Sequence, residues 1–264
     1  MLMVVKLIKI WLMFTSRAAQ SALLTTWAGV LFIIGKIVRF LLFFVFLFVV
    51  LSTVKNLAGY NREQVIFFFL VFTLIDALVQ FFFRGVYHFR PLIVSGDYDL
   101  DLMKPLPSFF RPIFGYSDIL DFVTLIPLWF YFLWFVFTNH LFAGIGDLIL
   151  FFLLLGNSIV LGFAFHLFVC GVCVLTTEID HLIWIYRDLT SMARFPTDIY
   201  YKFIQYILTF TIPVVILFTV PAKALLGLLS WQWVVLAFLI SGLFLWGSFK
   251  FWHYALSRYS SASS

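Results

Sequence analysis

The stretch RFPTDIYYKFIQYILTFTIPVVILFTVPAKALLG, residues Arg194 to Gly227, decides the fold that the sequence predicts. It opens on an Arg-Phe-Pro corner and continues as a long apolar segment that Pro213 and Pro221 interrupt. A helix that crosses roughly 30 Å of hydrocarbon needs about 20 apolar residues, which this segment supplies. Because proline lacks a backbone N–H and clashes with the preceding turn, we expect Pro213 to kink this helix and Pro221 to end it near the outer face.

The composition indicates that this segment is one of several membrane spans. Hydrophobic residues make up 64% of the 264 residues and charged residues 11%, a balance that one soluble core of this size cannot bury. The apolar runs lack the strict alternation of barrel strands, so they predict helices. The predicted spans are Val30–Leu51, Gln64–Phe83, Ile119–Leu141, Leu148–Leu175, Phe203–Val220 and Trp231–Phe251. The expected fold is an all-α integral membrane protein with six transmembrane helices, formed by residues 1–264 as a single domain.

The distribution of lysine and arginine predicts the orientation of these spans, because cytoplasmic loops carry an excess of both. One side holds Lys6, Lys9, Arg17, Arg84, Arg90, Lys104, Arg111, Arg187, Arg194, Lys202, Lys250 and Arg258, whereas the other side holds Lys55, Arg62 and Lys223. We therefore expect both termini in the cytoplasm, with residues 84–112 and 177–202 as cytoplasmic loops. The net charge of +5 is then a signal of topology and of lipid headgroups, and no nucleic-acid partner is expected.

Residues 1–25 have the pattern of an amphipathic helix at the membrane surface. Placed at 100° per residue, Lys6, Lys9, Ser16, Arg17 and Gln20 share one face, whereas the large apolar side chains turn away. Such a helix lies in the interface rather than across the bilayer. It would form a cytoplasmic elbow leading into the first span.

The loop GDYDLDLMKPLP, residues Gly96 to Pro107, is the best candidate for a docking surface in the cytoplasmic segment 84–112. Gly96 permits a turn, and Asp97 or Asp99 is suited to cap a short helix that Pro105 and Pro107 would stop. The product would be a rigid acidic element with apolar tips, suited to transmit force to a soluble partner. A solvated loop whose acids balance Arg84, Arg90 and Arg111 remains an alternative.

Polar side chains inside the spans are the next candidates, because they are costly in hydrocarbon and tend to face an interior. Asp76 and Gln80 lie one turn apart in the second span and would line a pathway or form structural pairs. Other charged groups are expected to form ion pairs. Lys36 and Arg39 would pair with Asp76 or reach lipid phosphates, and Arg111 would neutralise Asp118 and Asp121.

Two further groups of polar residues are expected to be structural. A salt-bridge patch would be formed by Glu178, Asp180, His181, Arg187 and Asp188, and one helix face would carry His166, Cys170 and Cys173 as packing residues.

Two motifs resemble those of the ABC-2 type transporter permease family. The loop at Gly96 is similar to the signature "G-x-(hydrophobic)-D-x-x-L-x-(K/R)-P-L", and the stretch from Arg194 is similar to a second signature with an aromatic-Pro corner, a "T-F-x-I-P" span and a "P-A-x-x-L-L-G" exit. The first match is carried by Gly96, Asp99 or Asp101, Leu102, Lys104, Pro105 and Leu106, and the second by Phe195, Pro196, Ile199, Tyr200, Thr209, Phe210, Ile212, Pro213, Pro221, Ala222, Leu225, Leu226 and Gly227.

The resemblance implies a type V exporter-like permease that forms half of a dimeric pathway with a second, identical or related permease. ATP and Mg would be bound by a separate ABC ATP-binding subunit, itself a dimer, and this chain would bind no cofactor or metal; its sequence contains no G-x-x-x-x-G-K-[ST] phosphate loop. The expected location is the plasma (inner) membrane of a prokaryote, in contact with its lipids. The implied roles are ATPase coupling for Gly96, Asp97, Asp99, Leu100, Asp101, Leu102, Lys104 and Pro105, gating or pathway lining for Asp76, Gln80, Pro213 and Pro221, and a structural corner for Arg194, Phe195, Pro196 and Tyr200.

Two other classes of function remain open from the sequence. A membrane-embedded enzyme acting on lipid or glycan carriers would use Asp97, Asp99 and Asp101 to bind a divalent ion, with His88 as a base. A non-catalytic membrane scaffold would have neither an ATPase partner nor transport.

Overall fold

The computed structural model describes residues 2–24, 26–53, 56–177 and 180–260, and these residues are helical with no strand among them. Short 3₁₀ turns and two π-helical segments join the α-helices. In chain order the α-helices are α1 (Leu2–Leu24), α2 (Thr26–Thr53), α3 (Arg62–Phe83), α4 (Phe89–Val94), α5 (Asp97–Leu102), α6 (Phe110–Phe114), α7 (Ile119–Thr138), α8 (Ile145–Thr176), α9 (Asp180–Ser191), α10 (Lys202–Tyr206), α11 (Val220–Leu225) and α12 (Trp231–Ser257).

Five of these helices, α2, α3, α7, α8 and α12, are long and apolar enough to cross a membrane. They confirm five of the six predicted spans, with ends that shift by a few residues. Asn61 starts α3 with a capping box, in which its side chain accepts a hydrogen bond from the Gln64 backbone and the Gln64 side chain accepts one from the Asn61 backbone.

Helices α3, α8 and α12 run in the same direction through the bundle. Val79 of α3 lies beside Gly162 of α8, and further along α8 Phe168 packs on Phe251 of α12. Helices α2 and α7 run the opposite way, since Phe67 and Phe81 of α3 contact Phe132 and Phe122 of α7 in reverse order, and α2 contacts α3 similarly. We call the end where α3 begins the Tyr60 end, and the end where α3, α8 and α12 finish the Asp101 end.

Helix α8 forms the centre of the bundle because two of its glycines allow close approach. A Cβ atom at Gly162 would lie 2.9 Å from a methyl carbon of Val79, and one at Gly171 would lie 2.8 Å from the ring of Phe251. Small residues at such contacts are the usual way for membrane helices to pack, since lipid offers no hydrophobic force between them. The sequence of α8 therefore fixes its distance from both α3 and α12.

Helix α1 lies against the Asp101 end of the bundle. Trp11 packs on Phe81 and Phe82, and its indole N–H donates to the Ser117 hydroxyl over 3.0 Å. Lys6, Lys9 and Arg17 are exposed. The described part of residues 1–25 thus forms the amphipathic helix that the sequence predicts; Met1 and Thr25 lie outside the described residues.

The segment after α8 runs from one end of the bundle to the other. At its start the Thr177 carbonyl accepts a hydrogen bond from Arg90 over 2.8 Å, and Arg187 of α9 donates to the Tyr87 hydroxyl over 3.1 Å, both at the Asp101 end. At its finish Asp198 accepts a hydrogen bond from the Tyr60 hydroxyl over 2.9 Å. Tyr60 precedes α3 and Tyr87 follows it, so these two residues lie at opposite ends of the bundle. Helix α9 and the 3₁₀ turns after it therefore cross the bundle.

The interpretation of residues 177–202 as one cytoplasmic loop is therefore wrong, as is the placement of Arg194 and Lys202 on the same side as Arg187. The guanidinium carbon of Arg194 lies 5.1 Å and 5.7 Å from the ring centroids of Phe43 and Phe72, in the middle of α2 and α3. The crossing escapes a search for apolar runs because α9 carries charged residues and breaks into 3₁₀ turns. Residues Lys55 and Glu178, which also entered the topology and salt-bridge predictions, lie outside the described residues.

The predicted fifth span is instead a re-entrant hairpin. Its two arms, Lys202–Thr211 and Val215–Leu225, meet at an angle of 86°. Both arms are tied to Asp198, since the Gln205 side chain donates to its carbonyl over 3.3 Å and the Lys223 ammonium lies 2.9 Å from its carboxylate. The hairpin therefore enters and leaves at the Tyr60 end, which agrees with the parallel directions of α8 and α12. Within the described residues, α9 and its turns thus connect the Asp101 end of α8 to the Tyr60 end of the hairpin.

The two prolines of the hairpin behave differently. Pro213 lies at the break between the arms, which confirms the predicted kink, because the residue before a proline avoids helical geometry and Ile212 is extended (φ −128°, ψ 94°). Pro221 does not end its helix: it occupies the first turn of α11, where no backbone N–H is required. The helix ends at Gly227, whose φ of +66° suits glycine.

Candidate coupling surface and pathway residues

Helix α5 is a short element that projects from the Asp101 end between two turns. Gly96 precedes it with a φ of +79°, a left-handed conformation that glycine adopts without strain. Asp97 and Asp99 lie in its first turn, but neither is the capping residue, since Gly96 holds that position. The negative charges still favour this end of the helix.

The inward face of α5 is anchored by two buried side chains. The Tyr98 ring packs edge-to-face on Phe89 with centroids 5.0 Å apart, and its hydroxyl donates to the Ser108 carbonyl over 3.2 Å. Asp101, which is 8% exposed, accepts hydrogen bonds from Lys104 over 2.8 Å and from Arg111 over 2.5 Å. Burial raises the pKa of Tyr98, so the phenol keeps the proton that it donates.

The partner of Arg111 differs from the prediction. Arg111 neutralises Asp101 rather than Asp118 and Asp121. The side chains that face those two acids come from earlier helices: Arg84 lies 3.7 Å from Asp118, and Lys36 forms an ion pair with Asp121. Lys36 is therefore not the ion-pair partner of Asp76.

The C-terminal end of α12 holds the same element from the other side. The Tyr259 hydroxyl donates to the Asp99 carboxylate over 2.8 Å, and the Trp252 indole N–H donates to the Ser108 hydroxyl over 3.0 Å. Burial and then the Asp99 carboxylate raise the pKa of Tyr259 to about 12, which keeps this donor protonated at neutral pH. Helix α5 is thus bonded to α12, a contact that the sequence gave no means of predicting.

The outward face of α5 exposes a group of apolar side chains. Leu100 is 55% exposed, Leu102 is 40% exposed and Met103 is 76% exposed. We call these three residues the α5 knob. Lys104 and Pro105, also predicted to take part in coupling, are exposed beside it. Asp101 faces inward, so it supports α5 from within and is not part of the exposed surface.

The three aspartates of the loop do not converge on one point. Asp97 accepts a hydrogen bond from Ser95 over 3.0 Å, Asp99 faces Tyr259, and Asp101 is held by two cations. In the part of the chain that the structure describes, no group of three or more His, Cys, Asp or Glu side chains is arranged to hold a metal ion. This geometry lends no support to the metal-dependent enzyme considered from the sequence.

The predicted pathway residues Asp76 and Gln80 lie in α3 near charged groups of α9. Gln80 is buried and accepts a hydrogen bond from Arg84 over 3.3 Å, and its amide nitrogen has no hydrogen-bond partner among the described residues. Asp76 is half-buried, and its charge acts on Arg187 and Arg194. A charge in the centre of a membrane helix costs about 2.5 to 3.5 kcal/mol on insertion scales, so these groups stabilise one another there.

The predicted corner is present, but it lies inside the bundle. Phe195 is extended (φ −108°, ψ 157°) between two 3₁₀ turns, and Pro196 follows it. The Tyr200 hydroxyl closes the corner by donating to the Met192 carbonyl over 2.9 Å. The corner therefore directs the chain from the crossing into the re-entrant hairpin, with Arg194 at mid-depth.

A small polar cavity lies at the Tyr60 end between the corner and the hairpin. The hydroxyl oxygens of Thr197 and Thr219 are 3.0 Å apart on its wall, and Asp198, Lys223 and Trp233 also line it. Sequence reasoning missed these residues because it placed Asp198 and Lys223 on opposite sides of the membrane. Their opposite charges within one stretch of 26 residues were the available signal.

His166, Cys170 and Cys173 share a face of α8, as their spacing predicts, and all three are buried. His166 uses one ring nitrogen on the Gly162 carbonyl over 2.8 Å and packs against Phe83 and Tyr186. Cys170 and Cys173 are not joined in a disulfide bond. The group belongs to the core between α3, α8 and α9.

The fold and these surfaces define a polytopic helical membrane protein with a rigid projecting element at one end and a polar re-entrant hairpin at the other. The chain belongs to the ABC-2 family of transporter proteins, whose family model, described as "ABC-2 family transporter protein", matches residues 37–263. It is accordingly the membrane component of an ABC transporter. No curated protein and no solved structure matched the chain.

Proposed function

We propose that this chain is the permease subunit of an ABC exporter and that it docks a separate ATP-binding subunit through the α5 knob. The observation that carries the proposal is the construction of α5: three exposed apolar side chains stand on a helix whose inward residues are buried, hydrogen-bonded and ion-paired. Exposed apolar side chains on a rigid element are typical of a docking site. ATP and Mg are bound by the partner, itself a dimer.

The contacts of α5 supply a route for force. Movement of the knob would move Tyr98 and Asp99, which both contact Tyr259. The Tyr98 hydroxyl also bonds to Ser108, which accepts a hydrogen bond from Trp252 of α12. Helix α12 packs along α8, and Trp233 in its first turn lines the cavity of the re-entrant hairpin. Closure of the ATP-binding subunits would then shift α12 as a rigid body relative to the hairpin.

The charge distribution supports an orientation with the Asp101 end in the cytoplasm. Arg84, Arg90, Lys104, Arg111, Lys250 and Arg258 lie at or near this end, whereas Arg62, Lys202 and Lys223 lie at the Tyr60 end. The positive-inside rule supports a cytoplasmic location for both termini. The plasma membrane of a prokaryote is the location that the resemblance to ABC-2 permeases implies.

The re-entrant hairpin is the proposed gate. Pro213 lies at its break and Pro221 in its second arm. Phe72 of α3 packs on Phe218 of the second arm, and Asp76 and Gln80 follow Phe72 by one and two turns toward the Asp101 end. A second permease, identical or related, completes the pathway within the lipid bilayer. Export is favoured because the polar cavity is at the end opposite the ATPase.

Co-purification tests the docking proposal. The tagged chain is isolated in mild detergent from its native membranes, and the co-purifying polypeptides and their ATPase activity are measured. Wild type is expected to retain an ATP-binding subunit, and the Leu100→Ala/Met103→Ala variant to lose most of it. Leu228→Ala, an equally exposed leucine at the Tyr60 end, is the matched control and is expected to retain it. Equal retention by both variants would remove the knob from docking, and a wild-type chain that purifies alone would count against the permease assembly itself.

A further inference from the structure

Two arginines in the membrane-crossing part of the protein have no salt-bridge partner in the part of the chain that the structure describes. Arg39 of α2 and Arg194 form no ion pair within 4.0 Å and no side-chain hydrogen bond among the described residues. An arginine presents five N–H donors, and aromatic rings supply no oxygen to accept them. The Arg194 guanidinium has Phe43 and Phe72 as its ring contacts. Its hydrogen-bonding capacity is therefore available to a ligand.

The two side chains are neighbours. Phe43 follows Arg39 by one helical turn of α2, so both occupy the same face, and Arg194 lies over Phe43. The charge of Arg39 acts directly on Arg194. The Asp76 carboxylate interacts electrostatically with both Arg194 and Arg187. Arg187 also donates a hydrogen bond to Tyr87. Arg187 and Arg194 thus share the Asp76 carboxylate, and Arg39 adds a further positive charge that acts on Arg194.

The depth of this cluster excludes bulk water as the usual partner. Phe72, which marks the level of Arg194, precedes the end of α3 at Phe83 by 11 residues, a rise of roughly 16 Å. Charged side chains at such depth face an interior, a partner or a hydrated path, and they mark binding sites. Arg39 is nonetheless exposed on the surface of the chain.

The surface of α2 beyond Arg39 is apolar. Leu42, Phe46 and Val49 are all exposed and follow Arg39 by three, seven and ten residues, so they continue its face toward the Tyr60 end. This arrangement places a cationic pair at the head of an apolar strip. It matches the chemistry of an amphiphile with an anionic headgroup and a hydrocarbon chain.

We propose that Arg39 and Arg194 bind the anionic headgroup of an amphiphile whose hydrocarbon chain lies along the α2 strip formed by Leu42, Phe46 and Val49. The two guanidinium groups match a phosphate or carboxylate bidentately, which lysines would not. The site is independent of ATPase docking, because it involves α2 and the corner rather than α5.

Lipid binding to the purified protein, with whatever subunits accompany it, tests the proposal. Phosphatidylglycerol and phosphatidylcholine are titrated in detergent, and bound lipid per chain is counted by native mass spectrometry. Wild type is expected to prefer phosphatidylglycerol. Arg39→Gln and Arg194→Gln are each expected to weaken that lipid's apparent affinity roughly tenfold and to leave phosphatidylcholine unchanged, since each removes one charge-assisted contact. Lys202→Gln, an exposed cation at the Tyr60 end, is the control and is expected to bind as wild type.

Three results would overturn the proposal. Equal phosphatidylglycerol affinity in wild type and both arginine variants would show that the cluster does not bind the headgroup. Competition by inorganic phosphate at concentrations similar to those of the lipid would show a free-anion site instead. Loss of a permease dimer with unchanged lipid binding would assign the arginines to a carboxylate of the second subunit. If Arg194→Gln fails to fold, the exposed Arg39→Gln carries the same comparison, with a photoreactive phosphatidylglycerol expected to label α2.

Discussion

Asp198 joins three separate parts of the chain through one carboxyl group and its backbone. Its side chain accepts the Tyr60 hydroxyl over 2.9 Å and pairs with Lys223 over 2.9 Å, and its carbonyl accepts the Gln205 side chain. These contacts fix the start of α3 against both arms of the hairpin. Burial and the neighbouring Asp198 carboxylate raise the pKa of Tyr60, so the phenol remains a donor across the physiological range.

Replacing this carboxylate should therefore destabilise the Tyr60 end. Asp198→Asn keeps the shape of the side chain but leaves the partly buried Lys223 without a counter-ion, and we expect a loss of about 1 to 3 kcal/mol. Thermal unfolding in detergent measures it, with Asp188→Asn, an exposed acid of α9, as control. Equal midpoints for the two variants would mean that Asp198 does not hold the hairpin.

Helix α8 offers a comparison between two glycines in one element. Valine at Gly162 would meet Val79, where even a Cβ atom lies 2.9 Å away, whereas a Cβ atom at Gly156 meets nothing within 4 Å. We expect Gly162→Val to cost about 1 to 3 kcal/mol by overpacking, and Gly156→Val to cost little. Fluorescence-detected thermal unfolding of the two variants measures the difference. A similar midpoint for both would show that α3 is free to move away from α8.

The break in the re-entrant hairpin depends on Pro213, because a proline keeps the preceding Ile212 out of helical geometry. Pro213→Ala is expected to let the arms straighten and to impair transport while ATPase docking is retained. Spin labels at the exposed Phe203 and Leu228 report the change, since a continuous helix would separate these positions by roughly 37 Å. An unchanged distance distribution would leave Pro213 with a packing role only.

Helices with the apolar composition that a membrane requires were predictable from the sequence. Segments whose charged residues interact with other residues inside the bundle were not. Helices α2, α3, α7, α8 and α12 are predominantly apolar, so composition alone locates them. Residues 203–220 are equally apolar but turn back. Pro213 predicts the kink, whereas the return of the second arm depends on the contacts of Asp198 with Gln205 and Lys223. The crossing by α9 was hidden by Arg187 and Arg194, which interrupt the apolar run and interact with Asp76 of α3.

The candidate site was predicted to a similar extent. The turn at Gly96 and the exposed apolar tips of α5 follow from local sequence, and the structure contains both. The inward role of Asp101 and the bond from Tyr259 to Asp99 depend on residues 10 and 160 positions away, which no local pattern reports. The resemblance to ABC-2 permeases identified the family, but it did not place the corner at Arg194 within the membrane.

At the scale of the whole molecule, the two ends of the bundle have different proposed functions. The Asp101 end carries α1, α5 and the C-terminal turn of α12, and the α5 knob is the proposed docking surface for an ATP-binding subunit. The Tyr60 end carries the hairpin and its polar cavity. Helix α12 extends between them and contacts both. This arrangement requires Lys202 and Met103 to lie on opposite faces of the membrane.

Cysteine accessibility in intact cells tests this requirement most directly. Single cysteines are placed at Met103, Lys202 and Leu228, which are all exposed, in a chain whose buried Cys170 and Cys173 are replaced by alanine. A membrane-impermeant thiol reagent added outside is expected to label the cysteines at 202 and 228, and to reach the one at 103 only after the cells are opened. Labelling at 202 only from the cytoplasmic side would contradict the account, because residues 203–220 would then cross the membrane and the hairpin would not be re-entrant.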